Sequence, residues 1–319
     1  MYSPAERSAD KRRPYISIHQ IRYAIIGFIL LTGEAFAQDR APAASWLDNL
    51  AVTATGAANW VENLSRTSFA PTRKNAATYE LDLSATRHQQ LAPDWLLHGG
   101  ADASFFTAPD YDLTNNLKLG PRLGLQRKFG LGPLAPVLQL DTAFSYKAAR
   151  LDADRGWSAE ASLRLAKRFT PSLKAGLTGQ WLKHDARSAT FDLDQYSYSV
   201  DATWDITEHW SLSGSAGRLS GNIVANAAWS VWGQAIYGGF GPVVSTYYNS
   251  RPWEVTNLYG SGWVSYNVEA DVDLWSLATT YAISDHTTAE FRYSSAFVVN
   301  KIGIRYPTES WGLGVVHRF

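Results

Sequence analysis

The chain has 319 residues with 29 basic and 29 acidic side chains, and a formal net charge of 0 leaves no global electrostatic case for nucleic acid. Cysteine is absent, so disulfides cannot stabilise the fold. A mean hydropathy of −0.21 is too polar for a bundle of membrane helices, yet the sequence carries 13 Trp, 16 Tyr and 13 Phe. The first segment sets the compartment. Lys11, Arg12, Arg13 and Arg22 precede an apolar run from Tyr23 to Leu31, and Ala35-Phe36-Ala37 supplies small residues for a signal peptidase. Residues 1–37 are therefore predicted to be a secretory signal. The apolar run is short of the roughly 20 residues a spanning helix needs. Residues 38–50 read as a short lead-in, and 51–319 as one domain.

That domain is written almost entirely in period two. Ala51–Asn63 alternates Val52, Ala54, Gly56, Ala58 and Trp60 with Thr53, Thr55, Ala57 and Asn59, the pattern of a two-faced strand. Thr78–His88 sets Tyr79, Leu81, Leu83 and Ala85 against Glu80, Asp82, Ser84 and Thr86. After the turn Leu91–Asp94, Trp95–Thr107 resumes with Asp102 on its polar face. Asn116–Phe129 separates Leu117, Leu119, Leu123 and Leu125 from Lys118, Arg122 and Gln126. Strands follow at Leu138–Lys147, Trp157–Phe169 with Arg164, and Leu173–Trp181. Gln195–Ile206 is the clearest: Tyr196, Tyr198, Val200, Ala202 and Trp204 oppose Ser197, Ser199, Asp201, Thr203 and Asp205. A helix would scatter that apolar set around its whole circumference. Trp210–Ser220 is Gly/Ser-rich. Tyr259–Ile283 places Val264, Tyr266, Val268, Ala270, Val272 and Leu274 together, then changes phase near Trp275, where a β-bulge is predicted. Thr288–Val299 carries Glu290 and Arg292 opposite Phe291 and Tyr293.

The last segment, Glu309–Phe319, alternates Trp311, Leu313, Val315, His317 and Phe319 with Gly312, Gly314, Val316 and Arg318. It resembles the closing strand of bacterial outer-membrane β-barrel proteins, whose final residue is commonly Phe; His317 departs from the usual apolar or aromatic choice. The resemblance implies an all-β fold, a transmembrane antiparallel up-and-down β-barrel in the outer membrane of a Gram-negative bacterium. It also implies lipid as the solvent of the outer face, and Phe319 as a signal to the barrel-assembly machinery. Twelve strands are counted, with ten or fourteen as alternatives. An even number leaves no unpaired edge in lipid. The short connections (Leu91–Asp94, Gly130–Pro136, Thr170–Ser172, Thr207–His209, Ser284–His286) mark the periplasmic end. Trp60, Phe105, Tyr146, Trp157, Trp181, Tyr196 and Trp311 fall near the other end, as an interfacial girdle.

In such a barrel the polar faces line the lumen. The pore-lining candidates are Glu80, Asp82, Asp102, Lys118, Arg122, Arg164, Asp201, Asp205, Glu269, Asp271, Asp273 and Arg292. Blocks of opposite sign would set up a transverse field, suited to a passive channel for small polar solutes. The competing reading is a structural or partner-binding barrel whose ion pairs fill the bore.

Gly221–Pro252 interrupts the alternation. Its Trp229, Trp232, Tyr237, Phe240 and Tyr247 and the break Gly238–Pro242 suggest a constriction folded over or into the mouth, an extra hairpin, or a surface for a protein partner or second copy. No enzymatic motif is found: there is no Gly-x-Ser-x-Gly or His-Glu-x-x-His sequence, and the histidines form no nucleophile constellation. His88 and His98 flank one turn and are read as polar lining rather than metal ligands, and no cofactor is expected.

Overall fold

The computed structural model describes residues 50–319; the predicted signal and nearly all of the lead-in lie outside them. The strands are β1 (Leu50–Glu62), β2 (Ala76–Ala92), β3 (Trp95–Thr107), β4 (Asn116–Lys128), β5 (Val137–Ala149), β6 (Gly156–Arg168) and β7 (Leu173–Ala186). They continue with β8 (Leu193–Asp205), β9 (Trp210–Ala228), β10 (Trp253–Val255), β11 (Trp263–Ala282), β12 (Thr287–Asn300) and β13 (Arg305–Arg318). Two helices, α1 (Trp229–Ile236) and α2 (Pro242–Asn249), separate β9 from β10. All pairings are antiparallel. β13 returns to β1 through Thr53↔Arg318 to Glu62↔Glu309, and β9 pairs directly with β11. The result is a closed twelve-strand barrel with β10 as a short addition on β11. Closure satisfies every wall strand on both sides, the condition for surviving in lipid.

The register confirms the two faces. Tyr198 lies opposite Gly179, and Gly179 opposite Leu163, so these residues share the outer face. That face is a continuous apolar band: Leu119, Leu123, Phe144, Leu163, Leu177, Val200 and Leu313 are all exposed. Such a band would be a severe liability in water and is ordinary against acyl chains. Near the long-loop end it is edged by ring pairs, with Phe144 stacked on Trp157 at 5.0 Å and Tyr293 against Trp311 at 4.2 Å. Phe319 ends the chain at the short-turn end, its amide donating to the Val52 carbonyl at 3.0 Å.

Two expectations need correction. Strand β11 has no bulge near Trp275, because its register with β9 and β12 runs on without a shift. The apolar set Val264–Leu274 is instead on the inner face: Val272 lies opposite Leu219, and Leu219 opposite the inward Ser197. Trp275 and Leu277 then face lipid in the ordinary alternation. The second correction concerns Gly221–Pro252. It holds no membrane-spanning hairpin; its first eight residues extend β9, and the remainder supplies α1 and α2. The break works as sequence chemistry suggests. Gly238 and Gly241 take φ of 83° and 101°, conformations costly for other residues, and Pro242 opens α2 at a position that needs no amide donor.

Candidate functional site: the lumen and its cap

On the inner face, charges reach one another across intervening strands at glycines. His98 on β3 meets Asp141 on β5, with Nε2 and Oδ1 2.6 Å apart, directly over Gly124 of β4. A Cβ at Gly124 would fall on both of those atoms. Arg164 on β6 grips Asp201 on β8 with two hydrogen bonds of 2.7 Å across Gly176 of β7. Paired N–H donors on one carboxylate make this the strongest geometry available to an ion pair. Arg122 donates to Ser84 Oγ at 3.0 Å and Thr86 Oγ1 at 2.8 Å, and its Nε lies 3.5 Å from Asp102. Lys118 approaches Glu160 at 3.8 Å, Arg168 approaches Asp205 at 3.6 Å, and Arg292 pairs with Glu290 at 2.6 Å. Asp82 accepts from Ser104.

Of the sequence-derived lining set, Glu80, Asp82, Asp102, Lys118, Arg122, Arg164, Asp201, Asp205 and Arg292 thus have inward register. Glu269, Asp271 and Asp273 do not. Asp271 lies opposite Ser220 and Asp273 opposite Arg218, and those residues lie opposite the outward Tyr196 and Tyr198. They belong to an outer-face cluster: Arg218 holds Asp271 at 2.9 Å, and Arg251 holds Glu269 at 2.6 Å. The reason is that both faces of upper β11 are buried, so alternation alone pointed the apolar face toward lipid.

Between the paired charges lies a chamber of about 660 Å³, toward the short-turn end of the lumen. Thr53, Ser84, Thr86, Gln126, Gln139 and Gln180 line it together with Arg122, Asp102, Asp141 and Glu160. His88 and His98 also line it, with ring centroids 5.8 Å apart. Opposite, beside the Glu290–Arg292 pair, the wall is rich in hydroxyls. Ser215 bonds Ser276 at 2.8 Å, and Ser294 bonds Ser310 at 2.7 Å.

The long-loop end is capped. Beyond Gly221 β9 no longer pairs with β8, and β9–β11 continues as a narrow ribbon, edged by β10 at Val264–Tyr266. A free ribbon twists more strongly than a sheet, which turns its faces relative to the wall. One face, Val264, Tyr266 and Val268, is covered by α1 and α2, where Trp232 stacks on Tyr266 at 4.4 Å. The other face meets the β1–β2 and β7–β8 loops. Asn226 donates to the Ser65 carbonyl at 2.9 Å, Asn267 to the Asp192 carbonyl at 2.6 Å, and the Tyr259 hydroxyl to the Leu64 carbonyl at 2.9 Å. Tyr111, in the β3–β4 loop on the far side, meets Tyr259 edge-on at 5.1 Å. These contacts require Asn257–Trp263 to cross the mouth. Burial raises the Tyr259 hydroxyl to about 12, so it stays a neutral donor.

The constriction candidates are distributed differently from expectation. Trp232 is buried in the cap and Tyr247 is half-buried, whereas Trp229, Tyr237 and Phe240 are exposed, Tyr237 by 80%. The segment that crosses the mouth includes Tyr259–Gly262, expected as the start of the strand that instead begins at Trp263. Its sequence signal is the Gly260-Ser261-Gly262 run, whose two glycines both take positive φ. A second feature missed in sequence is Ser158–His184–Asp154. Ser158 Oγ lies 2.9 Å from His184 Nδ1, and His184 Nε2 lies 3.5 Å from Asp154. Ser158 and His184 are only 2% and 3% exposed, and Lys147 occupies both Asp154 oxygens at 2.8 and 2.6 Å. The buried group ties the β5–β6 loop to the wall.

No protein-family model matches the sequence, and no curated protein matches it at significant similarity. Solved structures do match. An outer membrane channel from Pseudomonas putida F1 superposes with a TM-score of 0.56 at 8% identity, over 88% of this chain and 100% of that one. An outer membrane phospholipase dimer from Salmonella typhi gives 0.44 at 9% identity over 88% and 94%. The NanC porin gives 0.41 at 10% identity over 83% and 98%. By fold, the chain is a closed antiparallel β-barrel of twelve strands with a capped long-loop end, the architecture it shares with these outer-membrane proteins.

Proposed function

We propose that the protein is a passive outer-membrane channel for small polar solutes. The observation that carries this reading is the polar chamber of about 660 Å³ inside a closed barrel. A barrel built only as a scaffold would gain by filling that volume with side chains. Support also comes from the fold shared with the Pseudomonas channel. The lumen works through local ion pairs and hydroxyls rather than opposed charged walls. Arg164–Asp201 and His98–Asp141 neutralise each other within the wall, leaving amide and hydroxyl groups to exchange hydrogen bonds with a passing solute.

Ions and solutes reach the chamber from the long-loop end past the cap. The test is planar-bilayer recording of the refolded protein beside a form in which Ser230–Arg251 is replaced by a Gly/Ser linker. The β9–β11 register is untouched by that change, so the barrel should still show heat-modifiable migration on a gel. The reading expects a measurable conductance that rises in the shortened form. Conductance at baseline in both folded proteins would instead establish an occluded, structural barrel.

A further inference from the structure

Beneath the mouth-crossing segment lies a second cavity, of about 310 Å³, distinct in chemistry from the polar chamber. Phe106, Phe191, Leu193, Leu258 and Tyr259 supply most of its apolar lining. Phe106 and Leu193 come from the upper ends of β3 and β8, Phe191 from the loop between β7 and β8, and Leu258 and Tyr259 from the cap. Phe191, Leu258 and Tyr259 are themselves buried, so this part of the lining is held in place by its own core. Its polar lining is Thr114, Asn116, Asn226, Lys147, Asp154 and Arg66. Lys147 and Asp154 cancel each other through their two hydrogen bonds. Among the described residues, no carboxylate stands within ion-pair distance of Arg66, which leaves one net positive charge at the rim.

A partly apolar slot with a single uncompensated guanidinium recognises a flat apolar body joined to one anionic group. The slot removes the ring from water, and the planar fork of Arg66 can take a carboxylate with two parallel hydrogen bonds. The volume is at the lower limit of ligand pockets, which run from ~300 to ~1,000 Å³, so it suits one ring rather than two. Inorganic anions lack the apolar body, and neutral aromatics leave Arg66 without a partner. From this geometry we infer that the mouth cavity is a binding site for single-ring aromatic carboxylates, taken up before the polar chamber. This rests on the channel reading for its role in transport, although the binding itself does not.

Binding is measured first, by calorimetric titration of the barrel in lipid nanodiscs with phenylacetate, phenylacetamide and acetate. Phenylacetate should bind at least 10-fold more tightly than either of the others. Arg66→Asn keeps a side chain tolerant of the positive φ at this position and should abolish the preference for phenylacetate over phenylacetamide. Leu258→Ser should weaken both phenyl compounds and leave acetate unchanged. Equal affinities for phenylacetate and acetate, or an unchanged preference in folded Arg66→Asn, would overturn the inference. The same ligands are then added during bilayer recording, where phenylacetate should produce brief closures at concentrations at which acetate produces none. Binding with no conductance would refute the channel and leave the site standing. Conductance without selective binding would do the reverse.

Discussion

Gly124 and Gly179 give a paired test of whether the lumen is organised by charges meeting across glycines. Gly124→Ala puts a methyl group on top of His98 Nε2 and Asp141 Oδ1, so the pair must separate. The His98 side chain is 8% exposed and that of Asp141 23%, so water replaces the lost contact poorly. A hydrogen bond to a charged group contributes about 1.5–3 kcal/mol. Replacing a strand glycine by alanine returns about 0.5–1 kcal/mol of backbone entropy. The expected net loss is about 1–2 kcal/mol. Gly179 sits on the lipid face of β7, and a Cβ there meets nothing within 4 Å. Gly179→Ala should therefore gain about 0.5–1 kcal/mol. The assay is urea unfolding from lipid vesicles followed by tryptophan fluorescence, with heat-modifiability confirming the folded state. A third variant isolates the cause: Gly124→Ala in a His98→Ala background should cost less than in the native chain, because the contact it breaks is already lost. Equal effects at the two glycines, or a full cost in the His98→Ala background, would refute the argument.

Facing on β8 is tested by neighbouring arginines. Val200→Arg turns a charge into lipid and should lower stability by about 2–4 kcal/mol, whereas Ser199→Arg points inward and should fold normally, with refolding yield into vesicles as the readout. The reverse ranking would mean the register is wrong by one residue. Deleting Phe319 removes an exposed terminal ring and its backbone bond to Val52. If that ring is an assembly signal, the outer membrane should hold less heat-modifiable barrel, while refolding of the purified chain in vitro changes little; equal losses in both assays would make its role purely structural.

How much of this was readable in advance depended on what each pattern could distinguish. On β2 to β8 the two faces differ sharply, as in Gln195–Asp205, and one face meets lipid while the other meets water. Period two then fixes strand, face and turn together, and the short connections mark the end at which Phe319 meets Val52. The same rule misled on upper β11. Val264, Tyr266 and Val268 are apolar because α1 and α2 cover them, not because lipid does. Alternation reports that a face is hidden from water and cannot say by what.

Pairing across a strand was likewise invisible. Arg164 and Asp201 are 37 residues apart and meet only because Gly176, on the strand between them, offers no side chain. The cap needed still longer-range information. Tyr259 finds Leu64 across the mouth, 195 residues away in sequence, after barrel closure has already brought the loops to one end. Local chemistry thus determined the strands, the turns and the two-faced wall. Closure and ribbon twist decided which groups face one another, because those contacts exist only after the ends of the sheet have met.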